Sequence, residues 1–270
     1  MYIDVSNDYS TDGFLQVLRR FACIRGWPKT FYSDRGTQLV GASRELKEAI
    51  EDLDEAEITR FNANHGTEWS FSTPAAPWMN GVTEALVKTI KKAIESAIGD
   101  QVMEFSTLQT VMFEAGEMVN SRPIGLDPSS NIDDGKYLAA NDLLLGRTTN
   151  AVPQGPFAGD RNINRRYYFT QEIATAFWKK WVELVFPGLV VRPKWHTERR
   201  RVSVGDVVIV KEEDALRATW KIARVVAVKD SKDGRVRTVL ITYRNADAAC
   251  NMTVERHVRK LVILLPIEEQ

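Results

Sequence analysis

The sequence predicts an α/β sheet domain, then a linking helix, then a small all-β module. Three observations predict this. Over residues 2–120, β-prone runs alternate with helical patterns, the signature of an α/β sheet. Residues 162–184 form one bulky amphipathic pattern, with Tyr168, Ile173, Phe177, Trp178 and Trp181 in phase. Residues 204–264 hold four to five short β-prone runs separated by turns, which suggests a small closed antiparallel barrel.

Each element has a local cause. Tyr2-Ile3-Asp4-Val5 reads as a short strand. Ser10-Thr11-Asp12 caps a helix whose apolar face is Phe14, Leu15, Leu18, Phe21 and Ala22, and Gly26 and Pro28 end it. Thr30-Phe31-Tyr32 is β-prone and runs into Ser33-Asp34-Arg35-Gly36. Residues 38–53 read as a helix and residues 67–72 alternate like a strand. A Pro- and Gly-punctuated loop ends at Asn80-Gly81, where a helix starts with Val82, Leu86, Ile90, Ile94 and Ile98 on one face. Residues 105–120 form a further helix, closed by Ser121-Arg122-Pro123. After a Gly-, Pro- and Asn-rich stretch comes the 162–184 helix, ended by Pro187-Gly188. The β module then reads as strands over 204–210, 220–228, 236–243 and 258–264, with an Asp-Gly hairpin turn at 232–235.

Composition narrows the class. Lys plus Arg and Asp plus Glu are both 36, so net charge gives no hint of nucleic acid. The distribution does: residues 195–265 carry 15 basic against 9 acidic side chains, a mildly basic module compatible with nucleic-acid contact. Two cysteines, Cys23 and Cys250, suit a reducing compartment and exclude a disulfide framework. His65, His196 and His257 are scattered without Cys partners, so no zinc site is assigned. No apolar run is long enough to span a membrane and no signal peptide is evident, so nuclear or cytoplasmic residence is expected.

Two carboxylates carry the chemistry. Asp34 stands just past a strand's C-terminal end, where α/β sheets place ligand groups. It fits an ordinary Asp turn equally well. Glu84 falls in the first turn of the 81–98 helix, 49 residues on, with Lys88, Lys91 and Glu95 on its face. A carboxylate beside a loop with lysines below it can hold a metal ion and guide a phosphate backbone. The same pattern also fits an exposed face of Glu–Lys pairs.

Several runs together resemble a known family. They are Ser10-Thr11-Asp12-Gly13-Phe14-Leu15, Arg25-Gly26-Trp27-Pro28, Tyr32-Ser33-Asp34-Arg35-Gly36-Thr37, Glu68-Trp69-Ser70-Phe71, Asn80-Gly81-Val82-Thr83-Glu84, Asn120-Ser121-Arg122-Pro123 and Asn141-Asp142-Leu143-Leu144-Leu145-Gly146-Arg147. In this order they resemble the integrase core of BEL/Pao-type LTR retrotransposons, of the RNase H-like superfamily. Phe177-Trp178-Lys179-Lys180-Trp181, Lys194-Trp195, Val204-Gly205-Asp206-Val207-Val208, Trp220, Arg224-Val225 and Lys260-Leu261 are similar to the module that follows that core.

The resemblance implies an integrase core over 1–149, a linker with its helix over 150–194 and an SH3-like barrel over 195–265. It implies a polynucleotidyl transferase that joins element DNA to target DNA as a homo-oligomer in the nucleus. Two Mg²⁺ or Mn²⁺ ions would be held by carboxylates, with Asp34 as the family's second ligand and Glu84 as its third. Lys88, Lys91 and Lys92 would contact the element's DNA end, and Arg199, Arg200 and Arg201 are candidate nucleic-acid contacts of the barrel. The family's first catalytic Asp lies on a strand that would precede Tyr2, so the metal set read from this sequence is incomplete, and catalysis by this chain alone is not expected. The alternative expectation is a non-catalytic DNA- or chromatin-binding protein derived from such an element.

Overall fold

The structure, a computed structural model, describes residues 1–8, 10–33, 68–71, 81–128, 134–146, 165–189, 200–212, 215–230, 236–244 and 251–269. The expected helix over 38–53 and the hairpin turn at 232–235 lie outside the described residues. The chain forms two compact units. One comprises Tyr2–Lys91 and Met103–Phe113; the other comprises Met1, Lys92–Val102 and Glu114–Gln270.

In the first unit, helix α1 (Thr11–Arg25) begins as its sequence requires. The Ser10 Oγ accepts from the Gly13 N–H at 3.0 Å, satisfying one of the orphan donors of the first turn. Gly26, at φ 79°, closes the helix by donating its N–H to the Ala22 carbonyl. Strands β1 (Thr30–Ser33) and β2 (Glu68–Phe71) pair in parallel, Thr30 opposite Glu68 through Ser33 opposite Phe71. Helix α2 (Gly81–Ile98) follows β2, and α3 (Phe105–Asn120) follows α2; this unit holds α2 up to Lys91 and α3 up to Phe113. Among the described side chains of α2, Ile90 and Ala93 are buried, on the face the i, i+4 spacing marks.

The expected strand at Tyr2–Val5 is not formed; these residues join no ladder among the described residues. Side chains hold the segment instead. The buried Asp4 carboxylate accepts from Arg20 Nε at 2.6 Å, Val5 N at 2.8 Å, the Tyr2 hydroxyl at 3.0 Å and Gln109 Nε2 at 3.1 Å. The Tyr2 ring packs edge-on against Phe21 and Phe113. Four donors on one acidic group fix an extended segment without a strand partner.

The second unit is built on a five-stranded antiparallel sheet. Its strands are β5 (Val207–Val210), β6 (Lys221–Asp230), β7 (Val236–Arg244), β8 (Asn251–His257) and β9 (Leu261–Leu265). Their order is β8-β7-β6-β5-β9, and a 3₁₀ turn, Val258–Lys260, carries the chain from β8 to β9. Among the described residues, the order ends at β8 on one side and at β9 on the other, with no pairing between the two. Register shifts in the β6–β7 and β5–β9 pairs bend the sheet.

Strand β5 is buried at all four residues, so both faces are covered. Val208 and Val210 join Ala223, Val225, Val239 and Ile241 in one core. Val207 and Ile209, buried by alternation on the other face, belong to a second layer. Helix α5 (Arg165–Leu189) packs at the sheet: Trp178 meets Trp220 edge-on at 5.4 Å, and Lys211 Nζ lies over the Phe186 ring. Phe177 and Trp181, both fully buried, stack on the same helix. The helix therefore shares a core with the sheet. It runs through Pro187, beyond the end its pattern suggested. That proline removes one backbone bond in the last turn, while buried Phe186 anchors it.

Short elements complete this unit. Strands β3 (Pro123–Leu126) and β4 (Tyr137–Ala139) form an antiparallel pair, and β3 lies against β9. Helix α4 (Ala140–Leu145) follows β4, its Asp142 carboxylate accepting from the Ala139 N–H at 2.6 Å.

Candidate functional site

Glu84 lies in the first turn of α2, a favourable place for a carboxylate because the helix N-terminus carries partial positive charge. It is half-buried, and its Oε1 is buried with no hydrogen-bond partner among the described residues. A buried acceptor without a donor costs about 1–3 kcal/mol, so native proteins rarely keep one without another use for it. Asp34, the expected second ligand, follows the last residue of β1 in sequence and lies outside the described residues. The structure thus gives the position of one of the two carboxylates.

Below Glu84 the helix surface is basic. Lys88, Lys91 and Lys92 are exposed, as is Glu95. At 100° per residue, Glu84, Lys88, Lys91 and Glu95 fall within one narrow sector and Lys92 at its flank, opposite buried Ile90 and Ala93. Three ammonium groups held on a rigid helix can meet phosphates spaced along one strand, contacts that position a nucleic acid without reading it.

Other residues singled out by the sequence have structural work. The Arg200 guanidinium chelates Asp206 with NH1 at 2.7 Å and NH2 at 2.8 Å, and reaches Glu268 from Nε at 3.1 Å. Its donors are committed inside the unit. Arg201 is exposed, and Arg199 lies outside the described residues. Asp206 also accepts from the Ser203 and Ile267 N–H groups, at 2.8 and 3.0 Å. Burial pushes its pKa up, but Arg200 and these backbone donors outweigh that and hold it below the usual carboxylate range.

In the Asn120-Ser121-Arg122-Pro123 run, Asn120 and Ser121 are buried, and the Ser121 Oγ donates to the Met118 carbonyl at 2.7 Å. Asn141 is buried too and donates to the Glu117 carbonyl at 3.4 Å. These residues turn α3 into β3 and seat α4; they line no reacting centre among the described residues. Among those residues, no group of three His, Cys, Asp or Glu side chains stands ready to hold a metal.

A profile of a family of unknown function (DUF5641) matches residues 165–264. That span begins at the first residue of α5 and ends in β9, the helix and sheet that share a core. No curated protein matches the sequence. Among solved structures, the chain is similar to a chain of the simian T-cell lymphotropic virus intasome in complex with PP2A regulatory subunit B56 gamma, determined by cryo-electron microscopy. The identity is 12%, the TM-score 0.30, and the match covers 96% of this chain and 66% of that one.

The sequence did not single out the cluster that joins α3, α5 and the β5–β6 connection. Arg217 donates to Glu114 at 3.1 Å and to the Gln171 Oε1, and Gln171 Nε2 reaches Glu114 at 3.4 Å. Burial pushes the Glu114 pKa up despite Arg217 beside it. Residues so far apart in sequence give no periodic signal; only the fold brings them together.

Proposed function

We propose that this chain is an integrase-like polynucleotidyl transferase segment of a BEL/Pao-type retroelement, acting on DNA ends through carboxylate-held divalent cations. The observation that carries the reading is the orphaned, buried Oε1 of Glu84 at the head of a lysine-bearing helix. A hard cation takes carboxylate oxygens, so an oxygen with no donor on it among the described residues suits such an ion. Asp34 and Glu84 would hold the metal, with a further carboxylate from elsewhere completing a pair of sites. When bound, two such ions activate an attacking hydroxyl and stabilise the leaving oxygen. The residues of this chain then bind and orient: Lys88, Lys91 and Lys92 hold phosphates in line with Glu84.

The parallel β1–β2 pair followed by α2 supports an RNase H-like core. The order β8-β7-β6-β5-β9, with a 3₁₀ turn before the last strand, supports an SH3-like module after it. On this reading α5 is the connector between core and barrel, and the assembly works as an oligomer on DNA in the nucleus.

The alternative, a non-catalytic DNA- or chromatin-binding protein, draws on the exposed lysine face alone. One substitution separates the two. Glu84→Gln should abolish Mn²⁺ binding and leave DNA binding within about twofold, because it removes a metal ligand and no lysine. Native chain that binds DNA, releases it steeply with salt and takes up no Mn²⁺ would favour the binding protein.

A further inference from the structure

The Arg200 guanidinium presents two hydrogen-bonding edges, and the structure fills them with acids of different kinds. Its NH1–NH2 end faces Asp206, donating to Oδ2 at 2.7 Å and to Oδ1 at 2.8 Å, so two donors meet two oxygens. The Asp206 side chain is 0% exposed and also accepts from the Ser203 and Ile267 N–H groups, so its loss would undo the turn. The Nε–NH2 edge faces Glu268. There one oxygen, Oε2, takes both bonds, at 3.1 and 2.5 Å, and the Glu268 side chain is 63% exposed. Exposed ion pairs of this kind are weak and are screened by salt. Glu268 belongs to a short strap, the 3₁₀ turn Ile267–Glu269 that follows β9. Ile267 fastens the strap: its N–H donates to Asp206, and its Cδ1 packs onto Gly205, 2.6 Å from where a Cβ would stand. The fastening is at Ile267, so Glu268 can release Arg200 while the strap stays in place.

We infer that Glu268 occupies the seat of a DNA phosphate on the Nε–NH2 edge of Arg200, and that the strap is an acidic guard which DNA must displace. This rests on the reading that the chain binds DNA, and it adds an opposing contact built into the fold. The edge suits a phosphate better than it suits Glu268. A phosphate offers two oxygens to an edge where Glu268 offers one, and the parallel two-bond pairing is the stronger. Asp206 already fixes the guanidinium, so little side-chain freedom is lost when the phosphate arrives. Arg224 donates to the Gly205 carbonyl at 3.5 Å, and exposed Arg201 accepts from Arg200 NH1 through its carbonyl at 3.3 Å. These two cations beside the same turn offset the Asp206 charge that an incoming phosphate meets. Glu268 thus sets a threshold: weak phosphate contacts leave the strap engaged, and only DNA held at other points as well displaces it.

The test uses the full chain and a short labelled DNA duplex. Glu268→Gln keeps the side chain's size and leaves the anchor at Ile267 untouched. It should bind the duplex roughly threefold more tightly than the native chain and steepen the fall of log K with log salt by about one. Glu255→Gln is the control: it removes an equal charge from another exposed ion pair of the same sheet, with Lys229 at 2.6 Å. It should change the affinity by less than about 1.5-fold. Adding Arg200→Lys to Glu268→Gln should abolish the gain, because an ammonium keeps the charge but not the fork. Equal gains from Glu268→Gln and Glu255→Gln, no gain from Glu268→Gln, or a gain that survives Arg200→Lys would overturn the inference and leave the DNA reading standing. Failure of the native chain and every variant to bind the duplex would end both.

Discussion

Asp206 follows a turn and Glu84 lies in the first turn of a helix, and the structure treats the two acids in opposite ways. Asp206 accepts two bonds from Arg200 and one each from the Ser203 and Ile267 N–H groups, and its side chain is 0% exposed. Glu84 has a buried oxygen with no donor among the described residues. Asp4, in the same unit as Glu84, resembles Asp206, with four donors around it. A saturated carboxylate is a structural pin. An unsaturated one pins nothing, and its burial costs stability. The difference lies in partners, since both residues are acidic groups.

If this contrast is right, removing the pins should hurt most. Asp206→Ala leaves Arg200 and two backbone N–H groups short of an acceptor and should cost about 2–3 kcal/mol, read from the urea midpoint. Asp4→Ala should cost about as much, because Arg20 and Gln109 lose their common acceptor. Acid sharpens the same point. The folded-state pKa values of Asp4 and Asp206 are lowered, so their stabilisation is present above the ordinary carboxylate pKa of about 4 and is lost as pH falls through the depressed values. Asp206→Asn should flatten that acid limb in a thermal melt series. Gly205, at φ 96°, would bring an added Cβ to 2.6 Å from the Ile267 Cδ1. Gly205→Ala should therefore cost about 1–2 kcal/mol, chiefly through backbone strain, since the Ile267 side chain can swing aside. The smallest effect is the most informative. Glu84→Gln should leave Tm nearly unchanged, because relief of a buried oxygen without a described donor offsets the lost charge at the helix N-terminus.

Much of this was legible in the sequence. Ser10 and Gly26 mark both ends of α1, and the span 105–120 is the helix the periodicity predicts. The apolar phase of Ile90 with Leu86 and Ile94 correctly gave the inner face of α2. Local rules govern these features, so local reading finds them. Strand β8 was missed because an edge strand buries one side only partly, and Asn251–His257 therefore shows no clean alternation. Tyr2–Val5 was read as a strand because its residue types are β-prone, whereas Asp4 holds it by side-chain bonds that no periodicity reports. Arg200 looked like a free cation within a basic run, and only the fold supplies the two acids that engage it. Glu84 was found from its helical phase, but its orphaned oxygen is a property of the packed structure.

The central claim, that Glu84 is kept for a divalent cation, is tested most directly by titrating Mn²⁺ into the native chain and Glu84→Gln, following both bound ion and Tm. The account predicts that Mn²⁺ binds the native chain and raises its Tm, by about 2.7 kcal/mol of added stability at a hundredfold excess over Kd, and that Glu84→Gln loses both responses while remaining folded. Equal binding and equal stabilisation in the two proteins, or none in either, would contradict it.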